Sequence, residues 1–222
     1  MTVVRIAGYQ NELSVHTRAM RVMIEHLEAS LGDAAAVSFE PDIAARGRKV
    51  GDLLELVASG EIDLCYFSSS YLAAQVLSLA VLDIPFLFAD RQDTRSRLNG
   101  PLGALLRRDI AARTPYVVLG FWDNGLRHIS NARRPVRTPA DCMGLRIRTL
   151  PSEGYHATFR ALGMRPVTID VADMVRAIAA GEVDAQENPL TNIRLFGLQR
   201  HHPFVTTTAH FHGIALVDRK ST

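Results

Sequence analysis

The segment Leu56-Val-Ala-Ser-Gly-Glu-Ile-Asp63 has a close counterpart in Ile178-Ala-Ala-Gly-Glu-Val-Asp184. Both predict a helix that stops at a glycine, a turn, and then a new strand, because glycine readily adopts the left-handed conformation that ends helices. The repeat therefore predicts two similar units, each with a helix that ends at a glycine and a strand that follows it toward the same edge of the sheet.

Strands and helices alternate on both sides of these repeated segments. Apolar runs bounded by turn residues predict strands, and these cover 3–8, 37–39, 63–67, 116–120, 144–149 and 213–217. Apolar residues at helical spacing predict helices, and these cover 16–31, 50–58, 152–162 and 172–180. A β-α-β-α-β order is typical of a mostly parallel sheet with helices on both faces. We therefore predict an α/β fold of two facing lobes with a ligand cleft between them.

Composition agrees with a soluble globular protein. Apolar residues make up 47% of the chain, charged residues 22%, and the net charge is +2. No apolar run approaches the roughly 20 residues needed to span a bilayer. The one basic cluster, 133–137, lacks interleaved aromatic residues and predicts a solvated loop, so we expect no nucleic-acid binding. The N-terminus shows no signal-peptide pattern and enters a strand at once, as a mature exported protein would.

The residue patterns of enzymes and metal sites are weak here. His210 and His212 share one strand face and His201-His202 lies nearby, but a zinc site needs three or four ligands of fixed geometry. The serines at 68–70 lack the Gly-x-Ser-x-Gly pattern of a nucleophile elbow. We therefore predict no catalytic residues, no metal and no cofactor.

Five motifs follow one another in the second half of the chain. They are Phe121-Trp-Asp-Asn-Gly-Leu-Arg127, Pro135 to Asp141, Gly144-Leu-Arg-Ile-Arg148, Phe159 to Pro166, and Gly181-Glu-Val-Asp-Ala-Gln-Glu-Asn-Pro189. In order and spacing they resemble the motifs of the solute-binding proteins of tripartite ATP-independent periplasmic (TRAP) transporters. Segments 60–63 and 83–88 are also similar to that family, so the resemblance covers nearly the whole chain.

The resemblance implies a fold and a function. The fold would be bilobal and periplasmic-binding-protein-like, with lobe I formed by 1–121 plus 208–222 and lobe II by 122–207. The function would be that of an extracytoplasmic receptor, not an enzyme, which binds a small organic acid and delivers it to the membrane-embedded subunits of a TRAP-type transporter. We expect a periplasmic monomer. Members of the family continue beyond the strand predicted at 213–217, so we expect this chain to be a shortened form.

Two other functions stay open from the sequence. One is an intracellular or orphan ligand-sensing receptor that takes no part in transport, which the missing signal pattern suggests. The other is an enzyme built on the same fold.

The resemblance assigns the ligand's carboxylate to Arg148, which alternates with apolar residues in a short strand. A guanidinium on a strand end is a rigid fork that matches the two oxygens of a carboxylate. Arg127 would supply a second cationic contact, and we expect it to be the more exposed of the two. The alternative for either arginine is an ion pair with a protein acid. Asn188 would also reach the ligand, with a purely structural Asx turn as its alternative.

Lobe I should supply the opposite lip of the cleft. Tyr9, Gln10 and Ser68 follow predicted strands at their carboxyl ends, where ligands of α/β sheets bind. Many relatives in the resembled family carry an aromatic residue where this chain has Val171, so the ligand's shape cannot be inferred from them. We expect Trp122 to brace the hinge between the lobes without contacting ligand.

Overall fold

One sheet runs through the whole molecule. The computed structural model describes residues 2–220, and their eight strands are ordered β2-β1-β3-β8-β4-β7-β5-β6. The strands are β1 (Thr2–Ala7), β2 (Ala35–Glu40), β3 (Leu64–Ser68), β4 (Tyr116–Asn131), β5 (Arg146–Thr149), β6 (Arg165–Thr168), β7 (Ala185–Pro189) and β8 (Phe204–Lys220). The α-helices are α1 (Val15–Leu31), α2 (Asp52–Ser59), α3 (Arg91–Asn99), α4 (Pro101–Arg113), α5 (Glu153–Ala161), α6 (Val171–Ala179) and α7 (Leu190–Leu195).

The two ends of the sheet are parallel and its middle is antiparallel. Strand β1 pairs in parallel with β2 and β3, and β5 pairs in parallel with β6 and β7. Strand β8 runs antiparallel to both β3 and β4, and β4 runs antiparallel to β7. Strand β8 is therefore the link between a half-sheet of β2, β1 and β3 and a half-sheet of β4, β7, β5 and β6.

Strands β4 and β8 are much longer than the sequence predicts. Turn-forming residues in the segment Trp122-Asp-Asn-Gly125 suggest that a strand ends near Gly120, yet the chain stays paired with β8 through three register shifts. One shift falls between Asp123 and Gly125, where Gly125 has φ of 94°. A glycine can take this conformation without strain, so the strand bulges where the sequence indicates a turn.

The two repeated turns build the same structure in each half. Gly60 ends α2 with φ of 79°, and Gly181 follows α6 with φ of 70°. In the first half, Arg5 binds the carboxylate of Asp63 and donates from Nη2 to the carbonyl of Gly60 at 2.9 Å. In the second half, Arg146 binds the carboxylate of Asp184 and donates from Nη2 to the carbonyl of Gly181 at 2.9 Å. The shared geometry confirms that the fold consists of two similar α/β lobes.

Separate hydrophobic clusters fill the two halves. The first packs α1, α2, α3 and α4 on β1, β3 and the outer half of β8 around Met20, Leu53 and Phe67. The second packs α5 on β5 and the inner half of β8 around Ile147, Phe159 and Phe211, and a third, smaller cluster lies under α6 and α7. Tyr71 packs against both the first and the second cluster. The lobe boundaries at 121/122 and 207/208 stay a prediction, because β4 and β8 run through them without a break.

Candidate functional site

Arg148 lies on β5 and is fully buried. Its Nε donates a 2.7 Å hydrogen bond to the carbonyl of Ile169, the residue that follows β6 by one position. Its terminal nitrogens Nη1 and Nη2 are also buried, and neither has a hydrogen-bond partner within residues 2–220. Burial lowers the pKa of Arg148 from its usual value. The side chain is thus anchored at Nε and presents two free donors from a buried cation.

Arg127 lies in the C-terminal half of β4 and is almost as completely buried, at 1% exposure. It forms a bidentate ion pair with Glu187 of β7 through Nε, and through Nη2 at 2.8 Å to Oε1. Nη2 also donates to the backbone carbonyl of Glu187 at 3.1 Å. Burial opposes the charged form, yet the Glu187 carboxylate raises the pKa of Arg127 above its usual value. The prediction that Arg127 is the more exposed arginine is therefore wrong, and its charge is matched inside the protein.

The polar side chains of β7 form a buried row beside these arginines. Asn188 donates from Nδ2 to Oε1 of Gln186 at 2.6 Å, and its Oδ1 accepts from Nδ2 of Asn192 at 3.4 Å. Gln186 in turn donates from Nε2 to the hydroxyl of Ser130 at 2.7 Å. These bonds fix the orientation of Asn188, whose Oδ1 also lies 3.5 Å from Nη2 of Arg127. That Asn188 reaches a ligand stays a prediction.

Tyr9 is a buried side chain of the first lobe. Its ring packs against that of Tyr66, with the ring centroids 5.3 Å apart. Burial raises its pKa to about 12, and the positive charges of Arg127 and Arg148 act in the opposite direction. That Tyr9 contacts a ligand held by Arg148 stays a prediction.

Gln10 and Ser68 lie at the ends of neighbouring strands in the same lobe. The Oε1 of Gln10 accepts from the hydroxyl of Ser14 and lies 3.3 Å from Nδ1 of His16. Its Nε2 is buried and has no hydrogen-bond partner in the described part of the chain. Ser68 is buried at the last position of β3. Gln10 thus offers a free donor, whereas Ser68 shows burial alone.

The structure adds a bridge between the lobes that the sequence analysis missed. Asp170 accepts from the hydroxyl of Tyr71 at 3.2 Å and from the backbone N–H of Val50 at 3.3 Å, both on the first-lobe side. It also caps α6 by accepting from the N–H of Ala172 at 2.9 Å. An aspartate just before an apolar helix is readable from sequence as a cap. Its bonds to Tyr71 and Val50 depend on how the lobes face each other, which no local pattern specifies.

A second bridge joins the lobes through a buried carboxyl group. Asp83 accepts from the hydroxyl of Ser70 at 3.0 Å and from the hydroxyl of Ser152, the cap of α5, at 2.5 Å. Burial raises the pKa of Asp83 to about 6, although both serine hydroxyls favour the ionised form. The backbone of Gly154 approaches Asp83 closely, since a Cβ at Gly154 would lie 3.0 Å from the Asp83 Cβ. A side chain at position 154 would therefore force Asp83 to shift by a few tenths of an ångström.

Trp122 and Val171 lie at the margin of this region. Trp122 stacks on His16 with ring centroids 6.2 Å apart and planes 2° apart, and it packs against the first cluster. Val171 begins α6 and packs against the same cluster from the other lobe.

Among residues 2–220 no three His, Cys, Asp or Glu side chains are grouped closely enough to hold a metal ion. Nor does that part of the chain contain a helix that is long and apolar enough to cross a bilayer.

Comparison with known proteins identifies the family. Residues 9–217 match the family model for bacterial extracellular solute-binding proteins, family 7, which is called DctP. The chain belongs to this family. The predicted resemblance to TRAP solute-binding proteins is thereby confirmed, as is the bilobal α/β fold.

Several DctP-family relatives are similar over most of this chain. The 2,3-diketo-L-gulonate-binding periplasmic protein YiaO of Escherichia coli is 33% identical over 72% of the chain and 49% of its own length. A solute-binding protein of Verminephrobacter eiseniae is 32% identical over 73% of the chain and 48% of its own length. The chain thus spans about half of these relatives.

A solved structure shares the fold at higher coverage. A TRAP periplasmic solute-binding protein of Bordetella, with bound density assigned to pantoate, superposes with a TM-score of 0.92 at 29% identity. That match covers all of this chain and 72% of the Bordetella chain. The DctP family consists of solute-binding receptors, so its members are not enzymes as a class.

Proposed function

We propose that this chain is the ligand-binding part of an extracytoplasmic receptor that captures a small organic acid through Arg148. The observation that carries the proposal is the buried guanidinium of Arg148, whose Nη1 and Nη2 have no partner within residues 2–220. A buried charge without a partner is costly to a protein. A carboxylate bound in the bidentate manner would satisfy both nitrogens at once.

Closure of the two lobes accompanies capture in this proposal. Tyr9 and Gln10 approach the ligand from lobe I, with Ser68 at the same edge, and Arg148 and Asn188 hold it from lobe II. Arg127 acts mainly by holding Glu187 and Asn188 in register. The bridges from Asp170 to Tyr71 and from Asp83 to Ser152 then stabilise the closed form. A ligand shifts the balance toward closure only by binding the closed form more tightly than the open one.

The names of family members support a carboxylate as the ligand class. The E. coli relative binds 2,3-diketo-L-gulonate by name, and the Bordetella structure holds density assigned to pantoate. C4-dicarboxylate-binding proteins of Rhodobacter capsulatus and Vibrio cholerae are 30% identical to this chain. All of these ligands are small organic acids, which fits a site built around one arginine fork.

Delivery to a TRAP-type membrane transporter, a periplasmic location and a monomeric state complete the proposal. Membership of the DctP family and the names of its members support the transporter and the location, and the monomeric state is proposed from the family resemblance alone. We further propose that the chain is a receptor and not an enzyme.

Calorimetry on Arg148→Ala tests this function. The purified chain is first screened by thermal shift against pantoate, 2,3-diketo-L-gulonate, D-erythronate, galactonate and succinate, and the best ligand is titrated. Losing one partner of a buried charge pair typically costs about 3–5 kcal/mol, which weakens binding by roughly two to three and a half decades. We therefore expect Arg148→Ala to lose nearly all measurable binding.

Arg165→Ala is the matched control. Arg165 lies on the neighbouring strand β6 and is exposed, so its loss should leave affinity unchanged. Wild-type affinity in Arg148→Ala would contradict the proposal. Chemical conversion of the bound acid, followed by mass spectrometry, would favour an enzyme instead.

A further inference from the structure

The charges around Arg148 say more about the ligand than that it is acidic. Arg127 and Glu187 are both buried, at 1% and 0% side-chain exposure, and bind each other through two nitrogen–oxygen contacts. A pair this close presents little net charge to its surroundings, because the two fields cancel beyond a few ångströms. Of the two buried arginines, Arg148 is therefore the one whose charge a ligand can neutralise.

Asp170 places a negative charge near that arginine without forming an ion pair with it. Its carboxylate is held by uncharged donors, namely the hydroxyl of Tyr71 and the N–H groups of Val50 and Ala172. In the described part of the chain, no nitrogen of an arginine, lysine or histidine forms an ion pair with it. Arg148 donates to the carbonyl of Ile169, the residue before Asp170. The Asp170 carboxylate itself points to the first lobe, where it accepts from Tyr71.

Hydrogen bonds place Arg148 and Asp170 close together. Arg148 donates to the carbonyl of Ile169, the residue directly before Asp170, and the hydroxyl of Tyr71 donates to the Asp170 carboxylate at 3.2 Å. The pKa of Tyr71 is raised mainly by burial, and Arg148 lowers it while Asp170 raises it. A ligand carboxylate bound to Arg148 therefore has an anion close to its flank.

Two polar side chains of the first lobe that lie close to each other are uncharged. Gln10 is neutral and offers a buried donor at Nε2. His16, which lies 3.3 Å from Oε1 of Gln10, is buried, and burial lowers its pKa to about 4, so it is uncharged near neutral pH. Gln10 and His16 therefore offer no positive charge to a second carboxylate of the ligand.

We infer that this site selects a monocarboxylate with an uncharged polar remainder, and that Asp170 excludes acids with a second carboxylate. The inference rests on the proposed function, because it concerns the ligand held by Arg148. It assigns Asp170 a role in specificity in addition to its bonds between the lobes. A second carboxylate would meet the charge of Asp170 at short range, and such like-charge contacts suppress wrong partners.

D-Erythronate and succinate provide the test, because both have four carbons and differ in whether the far end is a hydroxyl or a carboxylate. Isothermal titration of the 222-residue chain at neutral pH should give at least roughly hundredfold weaker binding of succinate. Asp170→Asn keeps the size and the helix cap and removes the charge. This variant should narrow the ratio of the two dissociation constants by about tenfold or more, mainly by improving the binding of succinate.

A second variant keeps the test decisive if Asp170→Asn folds poorly. Asp170→Ser also retains a capping oxygen without charge, and it should narrow the ratio in the same direction. If the wild-type chain binds succinate as tightly as D-erythronate or more tightly, and Arg148→Ala abolishes that binding, the inference about Asp170 is wrong while the proposed function stands. An unchanged ratio in both Asp170 variants would also overturn the inference. If no organic acid binds at all, the proposed function falls together with the inference.

Discussion

Arg127 on β4 and Arg148 on β5 are matched in burial and differ in their partners. Arg127 meets the carboxylate of Glu187 in a bidentate pair, whereas Nη1 and Nη2 of Arg148 meet no partner within residues 2–220. Burial alone therefore does not reveal what a buried arginine does. The partner of each guanidinium separates a charge that holds the fold together from a charge that is available to a ligand.

The largest expected difference between the two arginines is in their effect on the free energy of unfolding. Glu187→Gln leaves the charge of Arg127 buried without a carboxylate, which typically lowers the free energy of unfolding by about 3–5 kcal/mol. Arg148→Met removes a charge that has no partner and keeps a similar volume, so it should change the free energy of unfolding by no more than about 1–2 kcal/mol. Urea denaturation without ligand measures both. Equal losses of unfolding free energy in the two variants would show that Arg127 and Arg148 do not differ in whether their charge is paired inside the protein.

The pH dependence of stability sharpens the comparison through Asp83. The pKa of Asp83 is raised to about 6 in the folded protein, against roughly 3.9 in an unfolded chain. The folded state therefore holds this proton more tightly. The resulting stabilisation, about 3 kcal/mol, is complete below about pH 4 and is lost as the pH rises through 6.

Asp83→Asn isolates this contribution. As the pH rises from 4 to 7, wild type should lose about 2 kcal/mol of unfolding free energy relative to Asp83→Asn. Glu187 and Arg127 affect the Asp83 carboxyl with opposite signs. In a Glu187→Gln background the arginine's charge acts unopposed, so the pKa of Asp83 should fall and the loss should shrink. An equal loss in both backgrounds would show that Glu187 does not neutralise Arg127.

A smaller effect distinguishes the fork of Arg148 from its charge. Arg148→Lys keeps the positive charge and loses the bidentate geometry. Replacing two charge-assisted hydrogen bonds by one should cost about 1.5–3 kcal/mol of binding, or roughly 10- to 150-fold in dissociation constant. Calorimetric titration of the best organic acid measures this loss. Wild-type affinity in Arg148→Lys would mean that Arg148 acts only as a point charge.

The smallest expected effect concerns the bridge beside Arg148. Tyr71→Phe removes one of the two first-lobe donors to Asp170, which should weaken ligand binding by about 0.5–1.5 kcal/mol, or roughly two- to tenfold. Tyr116→Phe is the control, because its hydroxyl donates to the carbonyl of Leu54 inside the first cluster. That control should lower stability and leave affinity unchanged. Equal loss of affinity in Tyr71→Phe and Tyr116→Phe would show that the hydroxyl of Tyr71 has no specific role in ligand binding.

Local patterns in the sequence predict the framework of this molecule well. Gly60 ends α2 and Gly181 follows the last turn of α6, as the repeated segments predict. Strand β5 ends close to Pro151 as predicted, which places Arg148 at a strand end. These features depend on residues that are near in sequence or on backbone preferences, so composition and spacing suffice to predict them.

Long-range pairings explain what the sequence does not predict. Glu187, the partner of Arg127, lies 60 residues away in the sequence. The motif that contains Glu187 predicts a ligand contact at Asn188 and gives no partner for Arg127. The bond from Tyr71 to Asp170 joins residues 99 positions apart across the two lobes. Such contacts follow from the closed arrangement of the lobes, and neither residue type nor periodicity encodes that arrangement locally.

Strand β8 has a consequence for the order in which this chain can fold. It is the strand that joins β3 to β4, with Ser68 facing Ala215 on one side and Phe121 facing Leu216 on the other. Until its residues leave the ribosome, the nascent half-sheets have open edges at β3 and β4, and open edges invite pairing with other chains. Contacts of such long sequence separation also form slowly. A chaperone that holds the nascent chain until β8 emerges would therefore raise the yield of folded protein.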